Sequence, residues 1–217
     1  MRINTDGVLL AVMADAARDD GVLDVGTGTG VIALMLAQRF PEAQVFGVEI
    51  DESSADTARK NAEASPFSDR VEMHHTAFQR FKPKKPLDLI VSNPPFYVDA
   101  LHNPDARKQQ ARHADRIFFD ELLHYADQNL TKSGAIELIL PPSLAEEVEQ
   151  RAALLGFQLI RKISIHSFED SPCIRSIVRF SKVITKKAKL YDFIIYQSKG
   201  VYSEAYRKLL QPFFLAY

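Results

Sequence analysis

Three glycines alternate with threonines at Gly26 to Gly30, directly between a short apolar run and a helix-like stretch. The run predicts a strand at Val22 to Val25, and the stretch predicts a helix at Val31 to Arg39. Glycine tolerates positive φ and lets backbone N–H groups approach a ligand closely, so such a turn can cradle a nucleotide. A dinucleotide-binding fingerprint requires a further glycine where Val31 stands. The G-x-G-x-G spacing therefore indicates a nucleotide-binding turn of another class.

Apolar runs and helix-like stretches alternate along the rest of the chain, which indicates βαβ units, a parallel sheet and an α/β fold. Seven strands are predicted, at residues 22–25, 44–50, 71–75, 87–92, 135–140, 157–167 and 174–182. Helices are predicted at residues 6–18, 31–39, 53–64, 118–129, 143–155 and 203–210. A loop is predicted around Gly134, and a further apolar run covers residues 190–196.

The composition excludes several classes of protein. With 217 residues and 46% hydrophobic side chains, the chain can bury the core of one domain and is not a disordered chain. No apolar run approaches the roughly 18 to 20 residues that cross a bilayer, and no secretory segment opens the chain. The single cysteine, Cys173, cannot form an internal disulfide, and the six histidines lack metal-ligand spacing. We therefore expect one cytoplasmic domain over residues 1–217, with no metal and no membrane partner.

The net charge of −1 hides an uneven distribution along the chain. Residues 1–60 carry five basic and ten acidic side chains, whereas residues 175–217 carry nine basic and two acidic ones. A basic end on a nearly neutral chain fits a polyanionic partner. We expect Lys186, Lys187 and Lys189, in a basic extension at about 183–217, to provide that contact. A lysine-rich face that is merely solvated is the alternative.

A carboxylate, Glu49, ends the second predicted strand and is followed by Ile50. At this place in nucleotide-binding folds, a carboxylate accepts hydrogen bonds from both hydroxyls of an adenosine ribose. The segments VLDVGTGTG and GVEID resemble class I S-adenosylmethionine-dependent methyltransferases. The resemblance implies a Rossmann-like α/β fold with a seven-stranded, mostly parallel sheet, its last strand antiparallel, and helices on both faces.

The same resemblance implies a set of residues that bind S-adenosylmethionine. The glycine loop faces the amino-acid end of the cofactor, and the acid of the second strand holds its ribose. Many relatives carry an acid after the third strand, where this chain has Ala77, so adenine is expected to be held by packing of Phe78 and by backbone contacts. The implied cofactor-binding residues are Thr5, Asp6, Gly26, Thr27, Gly28, Gly30, Glu49, Ile50, Ala77, Phe78 and Asn93.

The tetrapeptide Asn93-Pro94-Pro95-Phe96 directly follows the fourth predicted strand, whose end faces the same crevice as the glycine loop. Neither proline has an N–H, so this loop offers carbonyl acceptors without donors. The side-chain oxygen of Asn93 and the carbonyl of Pro94 can therefore hold the two hydrogens of one –NH2 group. Phe96 offers a face for a planar group to stack on.

That arrangement suits an amino group conjugated to a π system. Such a nitrogen is a poor nucleophile, and two acceptors on its hydrogens stabilise the positive charge that develops during attack. The sulfonium already activates the methyl group, so alignment of the reacting atoms does most of the remaining work. By resemblance, the NPP(F/Y) signature marks enzymes that methylate adenine N6 or the glutamine side-chain nitrogen, and it makes Asn93, Pro94, Pro95 and Phe96 the catalytic residues.

The flanking segments narrow the acceptor. The opening TDGVLL stretch, the Ala111-Arg112-His113 stretch and the end of the chain are similar to the bacterial tRNA(Val) adenine-N6-methyltransferases, which modify adenosine 37. Relatives carry a short segment before the TDGVLL stretch. The resemblance implies a tRNA partner, with contacts from Tyr97, Arg112 and His113, and we expect a monomer.

Three other functions stay open. A glutamine methyltransferase for release factors shares NPP(F/Y), but those relatives carry an additional N-terminal helical domain, and this chain begins close to the glycine loop. An adenine-N6 methyltransferase for ribosomal RNA or DNA is the second. A cofactor-binding module that holds RNA without activity is the third, and the intact tetrapeptide argues against it.

Overall fold

The computed structural model of the chain describes residues 5–15, 21–94 and 104–214, including all of their side chains except those of residues 104–115. The helices are α1 Thr5–Met13, α2 Val31–Arg39, α3 Glu52–Glu63, α4 Pro104–Asn129, α5 Pro142–Leu154 and α6 Glu204–Leu210, with a short 3-10 helix at Phe78–Arg80. The strands are β1 Gly21–Val25, β2 Gln44–Glu49, β3 Val71–His75, β4 Leu87–Ser92, β5 Leu130–Leu140, β6 Gln158–His166, β7 Cys173–Ser181, β8 Lys189–Ile194, β9 Tyr196–Ser198 and β10 Val201–Tyr202.

The main sheet has eight strands in the order β3-β2-β1-β4-β5-β7-β6-β8. The first five strands are parallel, β7 is antiparallel to both of its neighbours, and β8 is parallel to β6. Every strand except β7 therefore ends at one edge of the sheet, which we call the carboxyl edge, and the opposite edge is the amino edge. Helices α1, α2 and α3 pack on one face, and α4 and α5 pack on the other.

The predicted α/β, Rossmann-like fold with helices on both faces is confirmed. The main sheet has eight strands, one more than the seven that were predicted. The additional strand is β8, which forms from the apolar run predicted at 190–196 and pairs with β6 from Lys189 to Ile194. It extends the sheet beyond the antiparallel strand. Among the helices of the described residues, none is long and apolar enough to cross a bilayer.

The segment around Gly134 is not a loop but part of β5, which begins at Leu130 and pairs with β4 from Leu87 onward. A Cβ atom at Gly134 would lie 2.9 Å from the Leu87 carbonyl oxygen. Glycine therefore permits the close approach of the two strands, and its usual preference for turns does not apply here. The helix predicted at 118–129 is also longer, because α4 begins at Pro104.

The N-terminal helix was predicted at 6–18, but α1 ends at Met13. Arginine side chains take its last carbonyl groups: Arg39 Nη1 donates to Ala11 at 2.9 Å and also to Ala14. Arg161 Nη2 donates to the Met13 carbonyl at 2.7 Å. These charged donors satisfy carbonyls that a further helical turn would otherwise occupy, so the helix ends there. The predicted residues 16–18 lie outside the described residues.

The basic C-terminal extension is a folded part of the domain through Phe214. It contributes β8, the β9–β10 hairpin and α6, and it buries Tyr206 and Leu210 in the core. Ser203 caps α6, because its Oγ accepts a hydrogen bond from the Tyr206 N–H at 3.0 Å and donates to the Ile194 carbonyl at 2.7 Å. The extension is thereby held against β8 by apolar burial and by hydrogen bonds.

Candidate active site

The glycine loop lies at the carboxyl edge, between β1 and α2. Gly26, Gly28 and Gly30 have φ angles of 72°, 57° and 87°, which other residues rarely adopt. Among the described residues, a Cβ atom at Gly26 would meet nothing within 4 Å. A Cβ atom at Gly30 would lie 3.0 Å from Met73 Cε and 3.3 Å from Ala58 Cβ, so this glycine is needed for packing. The last glycine thus brings the helices onto the sheet.

Glu49 lies across this loop. Its Oε2 accepts a hydrogen bond from Gly28 N–H at 2.9 Å, and its Oε1 accepts from Ile50 N–H at 2.8 Å and Asp51 N–H at 3.0 Å. The loop is also tied to β2, since Gly26 N–H donates to the Val48 carbonyl at 2.9 Å. Ile50 follows with 74% of its surface exposed. The structure therefore brings the predicted ribose-binding acid to the glycine loop.

Asp24, beneath the loop, is a candidate that sequence reasoning did not assign. Every residue of β1 is buried, and Asp24 Oδ2 accepts a hydrogen bond from Thr27 Oγ1 at 2.6 Å. Within the described part of the chain, its buried Oδ1 has no hydrogen-bond partner. Burial raises the pKa of Asp24 to about 7, against the opposing effect of the Thr27 hydroxyl. A buried carboxyl group in which only one oxygen is hydrogen-bonded can pair with a cation or accept a further hydrogen bond through the other oxygen.

A sequence signal for Asp24 was present. A single acid inside an otherwise apolar strand, directly ahead of a glycine loop, requires a reason to be buried. The sequence alone did not reveal that the hydroxyl of Thr27 turns back and donates a hydrogen bond to Asp24.

Asn93 is placed beside the glycine loop by the end of β4. Ser92 pairs with Val25 in the sheet, and Ser92 Oγ donates to the Val25 carbonyl at 2.8 Å. Gly26 directly follows Val25, and Asn93 directly follows Ser92, so the two residues continue from paired ends of neighbouring strands. Neighbouring strands lie about 4.8 Å apart. Asn93 is half-buried and Pro94 is buried. Of the predicted catalytic set, Asn93 and Pro94 thus lie at the glycine loop.

Several predicted site residues fall outside the described residues. These are Pro95, Phe96 and Tyr97. Arg112 and His113 lie within α4, and their side chains are likewise outside the described part. Their proposed contacts with substrate remain predictions.

Of the two residues expected at the cofactor adenine, Ala77 lies beside Glu49, whereas the ring of Phe78 is buried in the core. Thr76 N–H donates to the Glu49 carbonyl at 2.9 Å, which brings Ala77 next to the acid that is predicted to bind the ribose. The ring of Phe78 is buried and makes edge contacts with Phe118 and Tyr125, each with centroids 5.6 Å apart. This ring therefore anchors the 3-10 helix in the core, and Ile50 is the exposed apolar side chain that directly follows Glu49.

Thr5 and Asp6 also lie at the carboxyl edge. Asp6 Oδ2 accepts a hydrogen bond from Arg175 Nε at 2.7 Å, and Arg175 lies near the start of β7, at this edge. The ion pair holds the first turn of α1 on the same side of the sheet as Asn93. The structure thus gathers predicted cofactor-binding residues from five separate segments, at the start of α1 and after β1, β2, β3 and β4.

The three lysines assigned to RNA do not lie at this edge. Strand β7 ends at Ser181, which pairs with Ala135 at the amino side of the sheet. Thr185 N–H donates to Gln158 Oε1 at the start of β6, at 3.4 Å, and Lys189 begins β8. Lys186 and Lys187 are therefore separated from Asn93 by most of the length of the sheet. The structure does not bring them to the site.

Within the described residues, no group of three or more histidine, cysteine, aspartate or glutamate side chains could hold a metal ion.

The parallel sheet, the G-x-G-x-G loop and the acid at the end of β2 define a methyltransferase of class I. Residues 4–154 match the family model of the methyltransferase small domain. A crystal structure of a predicted O-methyltransferase from Agrobacterium tumefaciens superposes with a TM-score of 0.73. It covers 95% of this chain and 96% of that protein at 19% identity, which shows the common fold alone.

Two curated relatives show which family of methyltransferases this chain belongs to. The tRNA1(Val) (adenine(37)-N6)-methyltransferase of Pedobacter heparinus is 48% identical over 217 residues, covering 100% of this chain and 92% of that protein. The enzyme of the same name from Dyadobacter fermentans is 34% identical over 220 residues, with 100% and 92% covered. The chain belongs to the tRNA1(Val) (adenine(37)-N6)-methyltransferase family, as the resemblance implied.

Proposed function

We propose that this protein transfers a methyl group from S-adenosylmethionine to the exocyclic N6 of adenine in tRNA, at adenosine 37 of tRNA(Val). The observation that carries the proposal is the hydrogen bond from the Ser92 hydroxyl to the Val25 carbonyl. It holds the end of β4 against the end of β1, which places Asn93 beside the glycine loop. The names of the 48% and 34% identical relatives support the acceptor. We further propose that the protein acts as a monomer in the cytoplasm.

The residues at the carboxyl edge fit S-adenosylmethionine. Glu49 uses three of its roughly four acceptor sites on backbone N–H groups, so a ribose would take the remaining site and replace one of these donors. The unpartnered Oδ1 of Asp24 suits the cofactor's ammonium group. The exposed Ile50 suits one face of its adenine. When bound, the cofactor supplies a methyl group made electrophilic by the sulfonium.

Asn93 and Pro94 act on the accepting nitrogen. The Asn93 side-chain oxygen and the Pro94 carbonyl would each accept one N–H of the adenine amino group, which orients the nitrogen lone pair away from the loop. Both acceptors stabilise the positive charge that develops on the nitrogen as the N–C bond forms and the bond from the methyl group to the sulfonium sulfur breaks, and the surplus proton of the nitrogen then leaves to solvent. Pro94 has no N–H to compete for these acceptors. Because orientation and charge stabilisation suffice, the mechanism assigns no general base to this chain.

The remaining proposed contacts with RNA are of two kinds, those near the methylated adenine and those far from it. Phe96 would stack on the methylated adenine, and Tyr97, Arg112 and His113 would contact nearby nucleotides. Lys186, Lys187 and Lys189 would contact RNA phosphates away from the base, since they lie toward the amino edge.

The test uses tritium-labelled S-adenosylmethionine with tRNA from cells that lack this modification. The expected product is N6-methyladenosine at position 37 of tRNA(Val), identified by nuclease digestion and mass spectrometry. The Asn93→Ala variant serves as the control for contaminating activity. Label that appears instead in a release factor, in ribosomal RNA or in DNA would overturn the proposal.

A further inference from the structure

Seven exposed lysines from three distant segments of the chain lie at the amino edge of the sheet. One segment precedes β4, one is at the start of β5, and one connects β7 to β8. The seven residues are Lys82, Lys84, Lys85, Lys132, Lys182, Lys186 and Lys187. We call this set the amino-edge surface.

The order of the strands makes these segments neighbours. Leu87 at the start of β4 pairs with Leu130 at the start of β5, which brings the 82–85 segment beside Lys132. Ala135, in the middle of β5, pairs with Ser181 on one side and with Leu89 on the other, so the end of β7 lies level with the first half of β4, toward the amino edge. Strands β4, β5, β7, β6 and β8 are consecutive, and at about 4.8 Å per spacing they span roughly 20 Å. The lysines therefore form one surface along this half of the edge.

This surface is strongly positive on a chain whose net charge is −1. Lys182 pairs with Asp127 at the end of α4. Asp88 is buried, and its Oδ1 accepts a hydrogen bond from Thr131 Oγ1 at 2.8 Å. Glu42 and Asp69 precede β2 and β3, at the other end of the sheet. Positive charge is thus concentrated beside β4 to β8.

We propose that the amino-edge surface binds the phosphate backbone of the substrate tRNA, at a helical arm distant from the methylated adenine. The inference rests on the proposed function. The six residues of β4 separate the two edges by roughly 20 Å, so the surface cannot contact a base held at Asn93. Of these lysines, Lys182 already lies over the Phe157 ring, 5.2 Å from its centroid, and lysine ammonium groups recognise phosphate charge and not base identity. A width of roughly 20 Å, over five strands, suits the backbone of an A-form helix, which proteins recognise mainly by shape and phosphate contacts.

The proposal divides substrate recognition between two edges. The carboxyl edge selects the base and performs the chemistry, whereas the amino-edge surface supplies affinity that depends on the rest of the tRNA. A short hairpin, consisting of the anticodon loop closed by three base pairs, satisfies only the first requirement. Full-length tRNA satisfies both.

The test compares full-length tRNA with that hairpin. The Lys84→Ala/Lys85→Ala and Lys186→Ala/Lys187→Ala pairs are combined, and the matched control is Arg59→Ala/Lys60→Ala on α3. We expect the KM for full-length tRNA to rise about tenfold, with kcat, the KM for the hairpin and the Kd for the cofactor unchanged. Each lost phosphate contact should flatten the slope of log affinity against log salt by about 0.7 to 0.9. The control variant should behave as the unaltered protein.

Two results would overturn the inference. One is an unchanged KM and salt slope for full-length tRNA. The other is an equal rise in KM for the hairpin, which would mean that the lysines act at the base. Binding of tRNA is also measured directly without cofactor, so the surface is tested even if the protein methylates another substrate. Vesicles containing phosphatidylserine are the final arm, and lysine-dependent binding to them without binding to tRNA would contradict the proposal.

Discussion

The carboxylate of Glu49, at the end of β2, accepts a hydrogen bond from the N–H of Gly28, at the centre of the glycine loop, at 2.9 Å. These residues are 21 positions apart, and each was predicted separately to bind the cofactor. The bond orders the loop and holds the carboxylate over it before any ligand binds. Preorganisation of this kind lowers the cost of binding.

Replacing Glu49 with alanine should weaken cofactor binding about 10- to 100-fold. The reason is that hydrogen bonds to a charged acceptor contribute about 1.5 to 3 kcal/mol. Isothermal titration calorimetry with S-adenosylmethionine measures the effect, with Glu52→Ala in the first turn of α3 as the matched control. An affinity equal to that of the control would refute the ribose assignment.

Replacing Asn93 with alanine should reduce kcat about 100- to 1000-fold and change cofactor affinity much less. Loss of one preorganised acceptor at a developing charge costs roughly 3 to 4 kcal/mol in the transition state. Single-turnover methylation of tRNA measures the chemical step, and calorimetry measures the cofactor. Near-normal turnover would remove Asn93 from the mechanism.

Replacing Asp24 with asparagine should alter the pH dependence of stability. Burial raises the pKa of Asp24 to about 7, whereas the unfolded carboxyl titrates near 3.9. Between these values the native state holds a proton that the unfolded state has lost, so the free energy of unfolding falls as pH rises from about 4 to about 7. The variant should lack this slope and be roughly 2 to 4 kcal/mol more stable than the unaltered protein at pH 8.

Urea unfolding of the cofactor-free protein at pH 4.5, 6 and 8 tests this expectation. The Asp51→Asn variant is the control, because Asp51 is an exposed helix cap whose pKa is lowered by the hydroxyl and N–H of Ser54. Parallel stability curves for Asp24→Asn and the unaltered protein would show that Asp24 is ionised in the native state throughout.

Replacing Glu137 with glutamine should destabilise the fold by about 3 to 5 kcal/mol. Glu137 is fully buried in β5 and pairs with Arg179 and with Arg161, the latter at 2.9 Å. Its neutral variant leaves the buried Arg179 without an opposite charge. Glu137 Oε1 also accepts a hydrogen bond from the Asp15 N–H at 3.2 Å, which the side-chain oxygen of glutamine can still accept, so the expected loss comes from the ion pairs.

The matched control for Glu137 is Glu147→Gln, which removes a partly exposed pair with Arg116 and Arg151 on the outer helices. Its effect should stay within about 1 kcal/mol because solvent screens such pairs. Equal denaturant midpoints for the two variants would show that the buried charges do not stabilise the native state.

Local signals in the sequence were sufficient for the centre of the site. The glycine loop, Glu49 and the Asn93-Pro94 step each follow directly from a strand end, and the carboxyl ends of parallel strands meet at one edge. Their convergence could therefore be predicted without coordinates. The acceptor character of the Asn93-Pro94 segment could also be predicted without coordinates, because the absence of an N–H group in proline is a covalent property.

Contacts that depend on strand order were not predictable. The eighth strand, the burial of the Phe78 ring and the early end of α1 at the arginines all require partners more than twenty residues away. Nothing local distinguishes Lys186 from a lysine near the active site. Its position was decided by β7, which runs antiparallel to its neighbours and so carries the following segment to the amino edge.

The sequence by itself thus determined the α/β class and the meeting of the glycine loop, Glu49 and Asn93 at one edge of the sheet, because these depend on backbone preferences and short spacings. The tertiary structure decided which charges share a surface, how Asp24 is buried and where the basic extension packs. Those features depend on the direction and order of strands, which are set by burial of apolar side chains from the whole chain and not by any one segment.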